Sequence, residues 1–265
     1  IQATSFGLGR PNSVALDGAG RIYIADFVNN RVERIDGTTL TRVAGTGVRG
    51  FGGDDGPAAT AQLSAPRGVA IDGLGRLYIA DGLNNCVRRV DTLGIITTIA
   101  GTCGLPYSYY TPGTNNTGDG GPARQATFAL PESVAVDGLG RLYIADQLNH
   151  VVRRIDEAGI IDRVAGTGNA GGEGENGLAT SADLYYPSGV AVDGAGALYI
   201  ADNGNQVIRK IDHPGPPSQP GTIHTVAGVF GQAGYGDDGP VATTRLFNPC
   251  AAFVDQDGVL TIAEA

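Results

Sequence analysis

The segment VAIDGLGRLYIADGLNNCVRRVD, residues 69–91, decides the fold because nearly the same sequence occurs four times in the chain. The other copies are VALDGAGRIYIADFVNNRVERID from Val14, VAVDGLGRLYIADQLNHVVRRID from Val134 and VAVDGAGALYIADNGNQVIRKID from Val190. A fifth copy, AAFVDQDGVLTIAEA, opens at Ala251. A unit of this size cannot bury its apolar faces alone, so the copies are expected to stack into one architecture.

Each copy consists of short apolar runs separated by turn signals. In the second copy the apolar runs are 68–71, 77–80 and 95–100, and the run 87–90 alternates apolar with charged residues. Asp72-Gly73 is a strong hairpin signal because both residues tolerate positive φ. No apolar period of 3.6 residues is sustained for ten residues, so no helix is predicted. Four antiparallel strands per copy, with small residues in the innermost strand, predict the blade of a β-propeller.

These residues resemble the NHL-repeat family of β-propellers. The matching signature runs from VAxDGxGRLYIAD through N and VRRID to TxAG, at 69–101 and 134–166 and, slightly altered, at 14–45 and 190–228. The resemblance covers almost the whole chain. It implies an all-β propeller, commonly of six blades, and most often a protein-interaction or sensing module. It also implies a minority alternative, because a few relatives in the broader six-bladed class are metal-dependent lyases or lactonases.

We expect residues 1–265 to form a single propeller domain of about four and a half blades. The blades start near residues 14, 69, 134 and 190, and a partial blade starts at 251. Either the chain is a segment of a longer propeller, or another subunit supplies the missing strands by β-strand addition. The second alternative predicts a strand-exchange edge that presents unpaired backbone and builds a filament. The residues of this edge are Leu260, Thr261, Ile262 and Ala263.

Composition restricts the partners and the compartment. The net charge is −9 and no run of Lys or Arg occurs, which argues against nucleic acid and anionic lipid. No apolar stretch approaches the length of a membrane span. Cys86, Cys103 and Cys250 are an odd number of cysteines. A disulfide between Cys86 and Cys103 and three small buried side chains are both open alternatives. We expect a secreted or cell-surface protein.

Acidic pieces recur in the inserts between the blades, and they are the candidate metal ligands. Asp-Asp-Gly-Pro-Ala resembles a fragment of a calcium loop but lacks the ligand spacing of an EF-hand, so a tight Asx turn is the alternative. No cofactor is required by the sequence, and calcium is the candidate cation. The residues concerned are Asp54, Asp55, Asp119, Asp237 and Asp238.

Two further series of carboxylates recur once in each blade. The first ends the inner strands and is expected to close the Asp-Gly turns, with a cation-binding ring as the alternative; its members are Asp17, Asp72, Asp137, Asp193 and Asp255. The second is expected to cap a turn and to pair with a basic residue; its members are Asp26, Asp81, Asp146, Asp202 and Glu264. The expected bases are Arg34, Arg89, Arg154 and Lys210.

The binding residues are sought where the repeat is broken, since a scaffold repeats and a recognition surface need not. Aromatic residues mark these places in the inserts, where they either contact a partner or pack the inserts against the blades. They are Tyr107, Tyr109, Tyr110, Tyr185, Tyr186, Phe230 and Tyr235. The sequence thus predicts an extracellular binding or structural module whose partner is a protein or a glycan, with copies of itself as another possible partner.

The alternative function is a metal-dependent lyase or hydrolase that acts in the central channel. Such an enzyme requires unlike ligands on the inner strands. The inner-strand residues at the insert end form no obvious ligand set; they are Asn12, Arg67, Glu132, Ser188 and Asn248.

Overall fold

A computed structural model describes residues 7–104, 117–215, 219–234, 239–241, 243–255 and 257–265. Blade 1 consists of β1 (Pro11–Leu16), β2 (Ile22–Asp26), β3 (Arg31–Asp36) and β4 (Thr39–Ala44). Blade 2 follows the short strand β5 (Gly56–Pro57) and consists of β6 (Pro66–Ile71), β7 (Leu77–Asp81), β8 (Cys86–Val90) and β9 (Ile95–Ala100).

The second half of the chain repeats this order. After β10 (Gly121–Pro122), blade 3 consists of β11 (Pro131–Val136), β12 (Leu142–Asp146), β13 (Val151–Ile155) and β14 (Ile160–Ala165). Blade 4 consists of β15 (Pro187–Val192), β16 (Leu198–Asp202), β17 (Val207–Asp212) and β18 (Thr222–Gly228). A two-stranded sheet, β19 (Pro249–Val254) and β20 (Leu260–Glu264), begins the fifth blade. The prediction of an all-β propeller with four-stranded antiparallel blades is confirmed.

Consecutive blades pack face to face around a shared axis. The inner strands contact one another in the order β1, β6, β11, β15, β19. A Cβ atom on Gly68 would lie 2.8 Å from Ser133 Cα, so β6 and β11 approach too closely for a side chain there. The apolar core lies between blades: Val87 of blade 2 and Phe128, Ile144 and Ile161 on the blade 3 side share one cluster. Each blade therefore depends on its neighbours for burial.

A hydrogen bond from one blade to the next is repeated at every junction. The side chain of Asn85, which follows the turn after β7, accepts a hydrogen bond of 2.9 Å from the backbone N–H of Leu130 before β11. Both residues have positive φ, 55° and 59°, which non-glycine residues rarely adopt. The same bond joins other pairs, with the acceptor first: Asn30 and Ala65, His150 and Tyr186, Gln206 and Asn248.

The inserts between blades contribute to the sheets, which the count of four strands per blade did not anticipate. The short strand β5 pairs with β9, and β10 pairs with β14, so two of the sheets have five strands. One turn of 3-10 helix comes directly after each short strand in the sequence, at Ala58–Thr60 and Ala123–Gln125. Ala58, Ala61 and Leu63 of the first insert are buried. The inserts therefore pack between blades and extend the sheets, which loops that only project from the surface would not do.

The part of the chain that the structure describes contains no helix with the length and apolar character required to cross a bilayer.

Candidate functional site

The strands define two faces of the propeller. The inserts and the turns after the second strand of each blade lie at one end, where Pro66 pairs with Asp81; we call this end the insert face. The two tight turns of each blade, such as 72–75 and 91–94 in blade 2, lie at the opposite end, which we call the turn face.

In blades 2, 3 and 4 a fully buried arginine links the blade to the insert that precedes it. The Arg88 side chain has no exposed surface, and its Nη2 atom lies 2.6 Å from Asp54 Oδ1. Its Nη1 atom donates to the carbonyl of Gln62 at 2.7 Å and lies 3.8 Å from Asp81 Oδ2. Blades 3 and 4 repeat the arrangement with Arg153 and Asp119, and with Arg209 and Glu175. In blade 1 the equivalent residue is Glu33.

The prediction of which arginine pairs with the buried aspartate was wrong by one residue. Asp81 faces Arg88, not Arg89, because successive side chains of β8 point to opposite sides of the sheet. The expected turn cap is present: Asn84 Nδ2 donates to Asp81 Oδ2 at 2.7 Å. Arg89 and Arg154 therefore lie on the other side of their blades.

Burial dominates the titration of these aspartates. Loss of solvent raises the pKa of Asp81 to about 7, against the opposing effect of the hydrogen bonds from Asn84 and the Ser64 backbone. Burial raises the pKa of Asp146 and of Asp202 to about 7 in the same way. These carboxyls hold the insert by accepting backbone N–H bonds, as Asp81 does from Ser64 at 2.7 Å.

The predicted metal ligands that lie in the described residues serve other partners. Asp54 Oδ1 is bound to Arg88, and Asp54 Oδ2 accepts the N–H of Thr98 at 3.1 Å. Asp119 is bound to Arg153. Asp55 has positive φ and accepts a 3.3 Å bond from Thr97 Oγ1. Calcium at Asp54 or Asp119 would have to displace an arginine that has no exposed surface.

Asp237 and Asp238 lie outside the described residues. Within those residues, no group of three or more His, Cys, Asp or Glu side chains is placed to hold a metal ion.

The aspartates that end the inner strands close turns. Asp72 Oδ1 accepts the N–H groups of Leu74 and Arg76, at 3.0 and 2.9 Å. Although burial opposes its ionisation, the hydrogen bonds from Arg76 and Tyr78 lower the pKa of Asp72 below its usual value. Every member of this series accepts the equivalent pair of backbone bonds: Asp17, Asp137, Asp193 and Asp255.

The structure brings two of the predicted aromatic residues together on the insert face. The rings of Tyr185 and Tyr186 stack with centroids 4.6 Å apart, and His150 lies 4.8 Å from Tyr186. Desolvation lowers the pKa of His150. Phe230 lies elsewhere and covers the guanidinium of Arg209 at 5.2 Å, so it belongs to the scaffold. Tyr107, Tyr109, Tyr110 and Tyr235 lie outside the described residues.

The inner strands carry a set of unlike residues at the channel mouth on the insert face. The strand register places Pro249 opposite Glu264, as Pro66 is opposite Asp81, so the fifth member of the set is Cys250 and not Asn248. Asn248 instead bonds Gln206. The corrected set is Asn12, Arg67, Glu132, Ser188 and Cys250.

Three members of this set bond to one another, and two of them, Arg67 and Glu132, have opposite charges. Arg67 Nη1 lies 2.5 Å from Glu132 Oε2, and Asn12 Nδ2 donates to Glu132 Oε1 at 3.3 Å. The guanidinium also lies 4.9 Å from the Phe27 ring. Burial raises the pKa of Glu132, and the charge of Arg67 opposes that shift. The non-repeating residue after each inner-strand proline was the sequence signal for this cluster.

A disulfide joins Cys86 at the start of β8 to Cys103 after β9, and Cys250 is a free thiol. Burial raises the pKa of the Cys250 thiol.

Two family descriptions match the chain. The teneurin NHL domain matches residues 38–113 and 110–170, and the NHL repeat matches residues 8–35 and 184–211. Teneurin-4 of Mus musculus is 29% identical over an alignment of 281 positions, gaps included, which covers 93% of this chain and 10% of the teneurin. SUPPRESSOR OF QUENCHING 1, a chloroplastic protein of Arabidopsis thaliana, is 40% identical over 86 residues, 32% of this chain and 8% of that protein. The chain thus spans a tenth or less of these curated relatives.

Solved structures share the fold. A Bacteroides thetaiotaomicron protein of unknown function has a TM-score of 0.61 and 22% identity, covering 100% of this chain and 69% of its own. A gluconolactonase from Xanthomonas campestris has a TM-score of 0.60 and 16% identity, covering 95% and 69%. A chain of the nidogen–laminin complex has a TM-score of 0.60 and 15% identity, covering 97% and 73%. Together, the repeated blades and these matches show that the chain belongs to the NHL-repeat family of β-propellers.

Proposed function

We propose that this propeller is an extracellular binding module that uses its insert face to contact a protein or a glycan. One observation carries the proposal. At the position before the last insert residue, the scaffold uses the backbone in all three blades: its N–H bonds the buried aspartate and its carbonyl accepts from the following turn. Blades 2 and 3 have the small buried residues Ser64 and Ala129 there, whereas blade 4 has Tyr185, which is 37% exposed.

The ring of Tyr185 is partly exposed and is held in place by its neighbours. It stacks on Tyr186 and packs against Gly204, where a Cβ atom would lie 2.5 Å from Tyr185 Cγ. Such a tyrosine offers a large contact area with little conformational entropy left to lose on binding. The disulfide between Cys86 and Cys103 supports an oxidising, extracellular compartment. The match with teneurin-4 along most of the chain supports the same class of function.

The test is a binding screen of the immobilised chain against arrays of purified extracellular proteins and glycans. Tyr185→Ser restores the residue type of blade 2 and so spares the scaffold. We expect it to weaken the binding of each hit at least tenfold. Leu93→Ser, at an exposed site on the turn face, is the matched control and is expected to leave binding unchanged. Hits that bind both variants equally would refute a role for the insert face, and an array without hits would refute the binding function.

The catalytic alternative needs a cation in the channel, where the like charge of Arg67 opposes it. We expect the purified protein to contain less than one equivalent of bound metal by elemental analysis, and to show no lactone hydrolysis when Ca²⁺ or Zn²⁺ is added. Stoichiometric metal that is lost in Glu132→Gln would restore the enzyme interpretation.

Self-association through the strand edge stays a prediction. Among the described residues, β20 pairs with β19 alone, and Thr261 and Ala263 are exposed. Light scattering across a concentration series tests it. Self-association requires that the mass increase with concentration. It also requires that Thr261→Pro restore the mass of the monomer.

A further inference from the structure

A cavity of about 770 Å³ opens between blades 2 and 3 on the flank of the propeller, near the turn face. Tyr78, Arg89 and Thr97 line it from blade 2, and Arg124 and Glu157 line it from blade 3. Among the residues that the structure describes, no acceptor is bound to the Arg89 guanidinium, although its Nε atom is buried. This groove is distant from Tyr185 on the insert face, so it is independent of the function proposed above.

The next groove around the ring is filled by the chain itself. Arg154 occupies in blade 3 the register position that Arg89 has in blade 2, opposite Tyr143 as Arg89 is opposite Tyr78. Its Nη1 atom donates to the carbonyls of Pro214 and Gly215, each at 3.0 Å. This cover leaves Arg154 only 6% exposed. The chain's own segment 214–215 is thus an example of a ligand for an arginine in such a groove.

The length of one connection explains why the two grooves differ. In blade 3 the last two strands are joined by the tight turn 156–159, which closes on itself when Asp156 accepts the N–H groups of Ala158 and Ile160. In blade 4 the corresponding connection is 213–221 and contains four prolines. Its described beginning, 213–215, lies over Arg154. Because the connection of blade 3 is short, the groove that contains Arg89 has no such cover.

We propose that the groove between blades 2 and 3 binds an extended proline- and glycine-containing segment of a partner protein. The segment supplies two consecutive backbone carbonyls to Arg89, as Pro214 and Gly215 do to Arg154. Proline suits this role because it keeps the backbone extended and has no N–H that would be left without an acceptor. Arg124 and Gln125 give the groove a polar wall for the remaining peptide groups. The groove between blades 1 and 2 has Ala59 and Thr60 in their place.

The test is an NMR titration of the ¹⁵N-labelled chain with the capped peptide DHPGPPSQPG, the sequence of residues 212–221. We expect saturable shifts at 97–99, 124–125 and 157. Arg89→Ala removes two charge-assisted hydrogen bonds and is expected to weaken binding at least tenfold. Gln125→Trp fills the groove from an exposed position and has the same expected effect without disturbing the core. Arg49→Ala, an exposed arginine on the insert face, is the matched control and leaves the affinity unchanged.

A second variant tests the reason for the difference between the grooves. Replacing 213–220 with Glu-Ala gives blade 4 the connection of blade 3 and uncovers Arg154. We expect one additional peptide site per chain, which Arg154→Ala in the same background removes. An unchanged number of sites in the folded variant, or binding by the wild-type chain that neither Arg89→Ala nor Gln125→Trp weakens, would overturn the proposal. Tyr185→Ser should leave peptide binding intact, so failure here and failure of the insert-face proposal are separate results.

Discussion

Replacing Arg153 by methionine should destabilise the propeller by about 3–5 kcal/mol, the cost of leaving a buried charge without its partner. The side chain has no exposed surface. It donates to Asp119 from Nε at 3.0 Å and from Nη2 at 2.7 Å. It also donates to the carbonyls of Thr127 and Thr117, at 2.7 and 3.1 Å, and its charge lies 3.8 Å from the fully buried Asp146. Methionine keeps most of the volume but none of these bonds.

The measurement is the free energy of unfolding from urea titrations followed by circular dichroism. A loss of this size lowers the midpoint of thermal unfolding by about 6–20 °C for a domain of this length. Arg163→Met is the matched control, because it removes an arginine of the same blade that is half-buried and donates to a single carbonyl, that of Thr167. We expect the control to lose about 1 kcal/mol or less. Equal losses in the two variants would refute the claim that the buried arginines hold the inserts in place.

Two further predictions concern the buried carboxyls and the blade junctions. The buried aspartates have folded pKa values of about 7 against 3.8 for the free group, so above about pH 4 the folded chain retains protons that the unfolded chain has released. The stability of the fold should therefore fall as the pH rises from 5 to 8. The residues responsible are Asp81, Asp146 and Asp202. A midpoint of thermal unfolding that rises over this pH range, at constant ionic strength, would contradict the assignment. Gly68→Ala should lose about 1–3 kcal/mol, because the added methyl would meet β11, whereas Gly73→Ala has open space around it and should lose less than about 1 kcal/mol. Equal chemical-denaturation midpoints for the two variants would exclude the close approach of β6 and β11.

The sequence predicted the scaffold because the same physical requirement recurs in each blade. Alternating apolar residues and Asp-Gly turns specify strands and hairpins locally, and four copies make the signal hard to mistake. The pairing of Arg88 with Asp81 could also have been predicted from the sequence. Strand alternation places Arg88 and Arg89 on opposite sides of β8, so only one of them can face Asp81. The order of charges along the chain does not show which side of the sheet each one faces, whereas the strand register does.

The remaining features depend on packing that sequence patterns do not encode. The inserts contain turn residues typical of loops, yet Ala58, Ala61 and Leu63 are buried between blades. The same insert is bound through Asp54 to an arginine 34 residues later, a contact between segments that no local pattern links. The long connection of blade 4 was visible as a proline-rich stretch, but the carbonyl contacts of Pro214 and Gly215 with Arg154 appear only in three dimensions.

The central claim is that the inserts are scaffold, so that departures from the repeat, such as Tyr185, stand on a rigid base. Hydrogen–deuterium exchange tests this claim directly. The buried N–H groups of Ala58, Ala123 and Ala179 bond the carbonyls of Gly94, Gly159 and Gly221, at 2.8, 2.9 and 2.9 Å. We predict that these amides exchange as slowly as those of the central strands β7 and β12, through unfolding of the whole propeller. Exchange within seconds, at the rate of an exposed loop, would contradict the account.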